Sequence, residues 1–213
     1  MKITIVGAGG NIGKRLVAEA ANRNHHLNLI TSKNISDFHL ENTDNVKATQ
    51  VDIFDTQQLA KTFEGNDVVI SAYAPPQDNN DLLIEASKSL VEASKKANTR
   101  LIAVGGAGSL KVSDDLLLID VPSFPEEYKA IAKSHLTALN SVYRPEKELN
   151  WTNVSPSAYI FEGERTANFK IAEDHLISNE KNESAISMED FAVAILNEVN
   201  DSKFIKKRFT VGY

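Results

Sequence analysis

The chain has 213 residues, 42% of them hydrophobic, which predicts one sizeable core and a single domain over residues 1–213. Cysteine is absent and the five histidines lack the spacing of metal ligands, which excludes disulfide frameworks, thiolate zinc sites and cysteine nucleophiles. The formal net charge of −6 opposes nucleic-acid binding, and the basic cluster Lys206–Arg208 is interpreted as a solvated strand edge. No apolar stretch is long enough for a signal peptide or a membrane span. We therefore expect a cytoplasmic protein, a monomer or homodimer, that binds neither nucleic acid nor membrane.

A glycine-rich corner follows the first apolar run, Ile3–Val6, and opens the first predicted helix. Such a corner needs glycine for a tight turn, for close approach of the backbone to a pyrophosphate, and for packing of the helix on the strand. The phosphates then bind the free N–H groups at the start of the helix. An ordinary strand-to-helix turn is the alternative. The favoured interpretation is a dinucleotide site formed by Gly7, Gly9, Gly10, Asn11, Ile12 and Gly13.

Strand-like and helical segments alternate along the chain. The predicted strands are Ile3–Val6, Leu27–Thr31, Lys47–Val51, Val68–Ala72, Leu101–Val104 and Trp151–Val154. The predicted helices are Asn11–Asn24, Thr56–Phe63, Asp81–Ala97, Glu126–Tyr143 and Met188–Val199. This alternation predicts an α/β fold with a doubly wound parallel sheet, in which ligands bind beyond the carboxyl ends of the strands. Residues 155–185 have weak periodicity and predict a small irregular C-terminal lobe over the ligand side.

The end of the second predicted strand indicates which dinucleotide is bound. An NAD-specific site carries an acid about 20 residues beyond the glycines, where it accepts a hydrogen bond from the ribose 2′-hydroxyl. This chain has Thr31, Ser32 and Lys33 there, with no acid before Asp37. Two hydroxyls and a cation suit the 2′-phosphate of NADP, so we predict that NADP(H) is preferred over NAD(H). The alternative is a surface turn without ligand contact.

Other strand ends supply further predicted cofactor contacts. Asp52 is placed to accept a hydrogen bond from the adenine amino group while Ile53 packs on the ring, although Asp52 could simply be an acid at a helix entry. Small residues after the fourth strand allow the cofactor to pass close to the backbone. Tyr73, in this segment, is equally compatible with a surface aromatic. The contacts predicted at the fourth, fifth and sixth strand ends are Ser71, Ala72, Tyr73, Gly105 and Pro156.

No side chain is plainly placed to donate a proton. Many short-chain reductases carry a hydroxyl at the end of strand five and a Tyr-x-x-x-Lys pair on the next helix. Here glycines occupy the strand end, and Lys133 lies one residue beyond the lysine position that Tyr128 would require. His135 aligns with apolar residues at helical spacing, which favours a packed, hydrogen-bonded histidine over an acid catalyst.

A third candidate, Arg165, lies in the segment Pro156–Arg165, which follows strand six and is expected over the nicotinamide end of the cofactor. Arg165 either holds an anionic part of the acceptor or forms a structural salt bridge. Tyr128, Lys133 and Arg165 are therefore the candidate catalytic residues. We expect that the chemistry does not depend on any one side-chain acid.

Five segments carry a family resemblance that runs the whole length of the chain: Met1–Gly13, Val104–Leu110, Trp151–Ala158, Gly163–Thr166 and Arg208–Tyr213. They resemble the bacterial NADH-flavin reductase group of the atypical short-chain dehydrogenase/reductase (NmrA-like, NAD(P)H-binding) family, which is related to the flavin/biliverdin reductases. The resemblance implies a Rossmann fold and a nicotinamide cofactor, with a flavin or tetrapyrrole over the nicotinamide. Two positions depart from the pattern. Gly106 stands where some relatives use a serine, and Gly9 stands where threonine is usual.

These observations favour an NAD(P)H-dependent reductase that passes hydride to a small, planar acceptor such as a flavin or quinone, with FMN or FAD among the candidate substrates. Such an acceptor needs stacking more than a strong acid. The alternative is a non-catalytic, NmrA-like protein that senses NADP(H). Sugar-nucleotide epimerisation is disfavoured because the Tyr-x-x-x-Lys pair is absent.

Overall fold

Strands and helices alternate throughout the protein, whose computed structural model describes residues 1–31 and 33–213. The strands are β1 (Lys2–Val6), β2 (His26–Ile30), β3 (Val46–Thr49), β4 (Val68–Ser71), β5 (Arg100–Val104), β6 (Lys111–Ser113), β7 (Leu116–Leu117), β8 (Trp151–Ser155), β9 (Tyr159–Phe161), β10 (Lys170–Ala172), β11 (Ala185–Ser187) and β12 (Lys207–Gly212). The α-helices are α1 (Asn11–Asn22), α2 (Thr56–Phe63), α3 (Leu82–Lys96), α4 (Glu126–Ala138) and α5 (Met188–Asp201). The predicted helices agree with these within two residues at their ends, except that the last five residues of the fourth, Leu139–Tyr143, form a π-helical turn.

The main sheet has eight strands in the order β10-β12-β8-β5-β4-β1-β2-β3. Neighbouring strands are parallel, except that β10 runs antiparallel to β12. The chain proceeds from β1 outward through β2 and β3, and then returns to the other side of β1 at β4. This reversal between β1 and β4 is the topological switch of a Rossmann-type doubly wound sheet, where ligands bind beyond the carboxyl ends of the strands. The predicted fold class is confirmed.

Helices cover both faces of the sheet and create two apolar cores. Ile3 and Ile5 of β1 pack with α1 and α5 on one face. Val6 packs on the opposite face, in the core that the sheet forms with α2, α3 and α4. Because both faces are buried, the central strands are almost continuously apolar. The carboxyl ends of β1, β2 and β4 are aligned, with Val6 paired to both Ile30 and Ser71.

The basic cluster Lys206–Arg208 overlaps the start of β12, a strand that was not predicted from the sequence. This strand lies between β8 and β10, so it is not at the edge of the sheet. Arg208 is only 6% exposed, forms an ion pair with Asp174, and donates a hydrogen bond to Ser109 Oγ at 3.1 Å. The interpretation of this cluster as a solvated strand edge is therefore wrong for Arg208, whose charge is neutralised inside the protein.

The segment 155–185 is more regular than predicted. β9 pairs in parallel with β11 outside the main sheet, and β10 extends the main sheet along β12. Arg15 links α1 both to this segment and to α5, since it forms ion pairs with Glu162 at 2.8 Å and with Glu189 of α5 at 2.9 Å.

Asp190, near the start of α5, organises the loop that follows β9. It is fully buried and accepts hydrogen bonds from the Thr166 hydroxyl and the Ala167 N–H. The hydroxyl of Tyr213, the last residue, also donates to Asp190, at 2.9 Å. Two of the segments that carry the family resemblance thus meet at one buried carboxylate.

Across residues 1–31 and 33–213, the helices lack the combination of length and apolar character needed to cross a membrane.

Candidate functional site

The glycine corner joins β1, β4 and α1 at the topological switch. Gly7 has a φ of +72°, and a β-carbon on it would lie 2.6 Å from the Ala72 carbonyl oxygen. A β-carbon on Gly13 would collide with the Gly7 carbonyl oxygen. Neither position accommodates another residue without a shift of the backbone, because the chain segments that meet here are in direct contact. These two glycines therefore bring the start of α1 directly onto the ends of β1 and β4.

The N-terminus of α1 is open to an anion. Gly10 precedes the helix, and no side chain among the described residues caps it. The first backbone N–H groups of a helix have no partner within the helix and carry the positive end of its dipole. Among the described residues, a β-carbon on Gly10 would have one neighbour within 4 Å, the Gly7 carbonyl oxygen at 3.4 Å, so these residues leave the space above Gly10 open. The N–H groups of Asn11, Ile12 and Gly13 are consequently available, and the corner fits a pyrophosphate.

Lys33 lies across this corner. Its backbone N–H donates to the Thr31 hydroxyl at 3.0 Å, and its side chain passes close to Gly9. A β-carbon on Gly9 would be 2.8 Å from Lys33 Cγ and 2.9 Å from Thr31 Oγ1. Lys33 is exposed and forms no ion pair with the residues that the structure describes. Its charge is thus available beside the candidate phosphate site. Ser32, predicted to contribute here, lies outside the described residues.

Asp52 follows β3 and Tyr73 follows β4, and the two are near enough for the charge of Asp52 to act on the Tyr73 hydroxyl. Asp52 is exposed and accepts a hydrogen bond from the Phe54 N–H at 3.0 Å. Burial, and then the charge of Asp52, raise the pKa of Tyr73. Ile53 is 9% exposed and packs in the core that includes α2 and α3, so it offers only a small surface to a ring. Asp52 and Tyr73 thus follow the ends of two neighbouring parts of the switch region, and their predicted contacts with the cofactor remain predictions.

The end of β5 lies against two polar side chains. A β-carbon on Gly105 would collide with the amide of Asn153, which projects from the middle of β8. A β-carbon on Gly106 would lie 2.9 Å from both Cβ and Cγ of His135 on α4. The imidazole thus occupies the space that a side chain at Gly106 would need. His135 packs as predicted, but its ring has no hydrogen-bond partner among the described residues.

A cavity of about 10 Å³ lies under these strand ends. Its lining includes polar side chains of β4, its following loop, β8, α4 and the π-helical turn, namely Ser71, Tyr73, Asn153, His135 and Tyr143. Burial lowers the pKa of His135 to about 4, which makes its imidazole neutral at physiological pH. Burial likewise raises the pKa of Tyr143 to about 12. The cavity therefore contains neutral hydrogen-bonding groups beside the predicted cofactor residues Ser71 and Tyr73.

The predicted catalytic candidates lie apart from this cavity. Tyr128 is 59% exposed, and Lys133 is exposed on the same helix. Arg165 donates two hydrogen bonds to Glu19 of α1, at 2.7 and 2.9 Å. The geometry of Arg165 is that of a structural salt bridge, which was one of its two predicted roles. Pro156 is buried directly after β8 and presents little side-chain surface to a ligand.

The position of Asn153 beside Gly105 was not predicted from the sequence. A polar residue inside the otherwise apolar run Trp151–Val154 was the available signal, because a buried amide requires hydrogen-bond partners. The approach of Lys33 to Gly9 was not predicted either, although the unusual glycine at position 9 was a signal for it.

Comparison with known proteins identifies relatives along the full chain. A family model described as NAD(P)H-binding matches residues 7–202. The protein YwnB of Bacillus subtilis is 34% identical over 216 residues, which cover 99% of this chain and 98% of YwnB. A solved structure from Streptococcus pneumoniae, named a "putative NADH-flavin reductase", is 32% identical with a TM-score of 0.87, over 100% of this chain and 99% of that one. Another from Bacteroides thetaiotaomicron, named a "putative epimerase", is 31% identical with a TM-score of 0.92, over 100% and 96% of the two chains.

Proposed function

Because the chain belongs to the NAD(P)H-binding family, we propose that it is an NADPH-dependent reductase whose acceptor is a planar molecule such as a flavin or quinone. The observation that carries the proposal is the uncapped N-terminus of α1 at the glycine corner, with Lys33 extended beside it. The nicotinamide, when bound, supplies the hydride. The protein positions the two rings and excludes water from them.

The preference for NADPH rests on the position and charge of Lys33. The NADPH 2′-phosphate carries extra negative charge next to the second strand, and Lys33 is an exposed cation at that strand end. A hydrogen bond to a charged group contributes about 1.5–3 kcal/mol, or about 10- to 100-fold in affinity. Gly9 supports this assignment, since any side chain there would displace the stem of Lys33.

A planar acceptor is favoured by the composition of the strand-five end. Gly105 and Gly106 present only backbone there, while Tyr128 and Lys133 are exposed and do not form the usual tyrosine-lysine pair. A flavin ring or quinone accepts hydride with delocalisation of charge and has a flat face for stacking. The name of the pneumococcal relative favours the same chemistry. The name of the Bacteroides relative indicates epimerisation, which the absence of the tyrosine-lysine pair opposes.

The test is the steady-state oxidation of NADPH and of NADH with a panel of flavins and quinones. We expect turnover with NADPH at lower KM than with NADH. The Lys33→Ala variant should bind NADPH about 10- to 100-fold more weakly and bind NADH almost unchanged. Lys88→Ala, which removes an exposed lysine from α3, is the matched control and should change neither affinity.

Equal affinity of the parent protein for both cofactors would contradict the NADPH preference. Tight NADPH binding without turnover of any acceptor would contradict the reductase proposal and favour a non-catalytic sensor of NADP(H).

A further inference from the structure

Two aromatic rings lie parallel to each other on the short strand that follows β8. Tyr159 and Phe161, at the two ends of β9, have ring centroids 5.5 Å apart and an interplanar angle of 12°. Alternate residues of a strand point to the same side, so both rings lie on one face of β9. Ile160 points to the other face and packs against the core that contains α1 and α5. We call the pair Tyr159 and Phe161 the aromatic stack.

One ring of the aromatic stack is open and the other supports it. Phe161 is half-buried, and Gly163 lies against its edge, since a β-carbon on Gly163 would be 2.8 Å from Phe161 Cε2. Tyr159 is 65% exposed. Phe161 covers one face of the Tyr159 ring, and the described residues leave most of the rest of that ring open. Because aromatic rings favour offset parallel packing, the open face of Tyr159 is pre-oriented for a third flat ring.

Contacts at both ends fix the position of β9. The strand begins shortly after β8 ends at Ser155. At its other end, Glu162 directly follows β9 and forms an ion pair with Arg15 at 2.8 Å. Arg15 also donates a hydrogen bond to the carbonyl oxygen of Asn11, the first residue of α1, at 3.4 Å. The aromatic stack therefore belongs to a strand that runs between the carboxyl end of β8 and the glycine corner.

The strand ends between these two points are those of β5 and β4, since the sheet order is β8-β5-β4-β1. Ile160 packs against the same apolar core as Ala72, which follows β4, and Val104, which ends β5. Ala72 and Val104 are both partly exposed, so this part of the carboxyl edge is accessible to a ligand. In a doubly wound sheet the ligand lies beyond these strand ends. β9 therefore borders the part of the edge where the nicotinamide is expected.

We propose that the aromatic stack binds the planar acceptor, whose ring lies on the open face of Tyr159. The proposal rests on the reductase function proposed above and assigns residues to its acceptor site. A flavin or quinone ring has two flat faces. One must lie against the nicotinamide to receive hydride, and the other is free to stack on the protein. Tyr159 is thus a specificity-determining residue that selects flat, conjugated acceptors, and Phe161 is a positioning residue that orients the Tyr159 ring.

Binding of riboflavin in the presence of NADP⁺ tests this site without turnover, because the oxidised cofactor has no hydride to transfer. Tyr159→Ala should raise the Kd of riboflavin, measured by titration calorimetry, by about tenfold or more. Tyr159→Phe keeps the ring and should bind riboflavin within about twofold of the parent. It should quench riboflavin fluorescence less than the parent does, because a phenol transfers an electron to an excited flavin more readily than a phenyl ring.

A matched control removes an exposed apolar side chain elsewhere on the surface. Ile171 is 51% exposed on β10, which lies at the far edge of the main sheet. Ile171→Ala should leave the Kd of riboflavin unchanged. Tyr159→Leu, which is apolar but not aromatic, is the second variant and should weaken riboflavin binding as Tyr159→Ala does. The melting temperature shows whether each variant is folded.

Steady-state kinetics test the selectivity for flat acceptors. Tyr159→Ala should raise the KM of riboflavin by about tenfold and that of p-benzoquinone by less, because three fused rings overlap the tyrosine more than a single ring does. The Kd of NADPH should not change, since the aromatic stack is separate from the glycine corner. If a quinone is the better substrate of the parent protein, that quinone replaces riboflavin in the binding measurements.

Unchanged Kd and KM of the acceptor in folded Tyr159→Ala and Tyr159→Leu would overturn the proposal. A parent dimer that Tyr159→Ala dissociates without any change in acceptor affinity would also overturn it, because the aromatic stack would then be an interface between copies of the chain. Light scattering measures that association. Turnover by the parent with unaffected Tyr159 variants contradicts only the present inference, whereas a parent that neither binds nor turns over any acceptor contradicts the reductase function as well.

Discussion

Gly7 and Ala72 are in such close contact that a β-carbon on Gly7 would lie 2.6 Å from the Ala72 carbonyl oxygen. Since Gly7 directly follows β1 and Ala72 directly follows β4, this contact joins the ends of the two strands where the sheet order reverses. Gly10 is not crowded in this way, because its nearest neighbour would be the Gly7 carbonyl oxygen at 3.4 Å. Gly7 therefore shapes the corner, whereas Gly10 keeps the space above it free.

This difference makes Gly10→Val a selective test of the pyrophosphate site. The variant should fold, because the protein leaves room for the side chain, but a branched side chain would occupy the position of the phosphates. We expect NADPH affinity to fall by at least about 100-fold, the equivalent of about 2.7 kcal/mol. Fluorescence titration with NADPH measures this, and the melting temperature shows whether the variant is folded. Unchanged affinity in a folded Gly10→Val protein would place the cofactor elsewhere.

Gly9→Thr tests the link between the unusual glycine and cofactor choice. A threonine there would collide with the stem of Lys33 and with Thr31, and so would move the lysine away from the 2′-phosphate. We expect NADPH affinity to fall by about tenfold and NADH affinity to change little. In the double variant Gly9→Thr/Lys33→Ala, the two losses should not add, because both act through the same ammonium group. Additive losses would show that Gly9 acts independently of Lys33.

Arg165→Lys distinguishes the two roles predicted for this residue. Although burial favours the neutral form of Glu19, hydrogen bonds from Arg165 and Arg23 lower the pKa of its carboxyl group. Lysine keeps the charge but loses the two-pronged contact, so we expect a loss of about 1 kcal/mol in the free energy of unfolding. The KM of the acceptor should not change. A raised KM with unchanged stability would instead place Arg165 at the acceptor.

Much of the fold was predictable because local signals and tertiary structure agree. The apolar run before Gly7 and the capping aspartate Asp55 of α2, which accepts hydrogen bonds from the Gln57 and Gln58 N–H groups, are both local features. β12 was missed because its charged start, Lys206–Arg208, resembles a surface segment. Among the described residues Arg208 forms its ion pair with Asp174, which lies 34 positions earlier in the chain, so no local sequence pattern indicates that pair.

The candidate site likewise has parts that local sequence signals predict and parts that depend on contacts between distant residues. The glycine corner and Lys33 lie close together along the chain or follow adjacent strands, so motif spacing located them. The contact between His135 and Gly106 joins residues 29 positions apart on different elements. Helical spacing correctly predicted that His135 packs, but it contains no information on Asn153, which approaches from a third element, β8.

Tyr213→Phe tests the network around Asp190. The Tyr213 hydroxyl donates to Asp190 Oδ2 and hydrogen-bonds Ser187 Oγ, each at 2.9 Å, and Asp190 is fully buried. Loss of this hydroxyl should lower the free energy of unfolding by about 1–3 kcal/mol, as measured by urea denaturation. Tyr128→Phe is the matched control: its ring is 59% exposed, so its stability should change by less than about 0.5 kcal/mol. The control also tests catalysis, since turnover should remain close to that of the parent.

The burial of neutral His135 predicts how stability depends on pH. Its pKa is lowered by burial to about 4, whereas in the unfolded chain the imidazole titrates near its usual value of about 6.5. Between these values the unfolded state binds more protons than the native state, so the free energy of unfolding falls as the pH is lowered from about 6.5 to about 4. The loss is complete below about pH 4 and amounts to at most about 3 kcal/mol. Tyr73 and Tyr143, which share the cavity, have raised pKa values and remain neutral throughout this range.

His135→Gln should remove this part of the pH dependence, because glutamine does not titrate. Urea denaturation of the parent and the variant at about pH 7.5 and about pH 5 measures the difference. His175→Gln replaces a histidine whose side chain is 58% exposed and should leave the parent's pH dependence intact. If His135→Gln and the parent lose equal stability between the two pH values, His135 is not held neutral by burial. The imidazole would then be charged in the native protein near pH 5, and the neutral environment inferred for the cavity would be wrong.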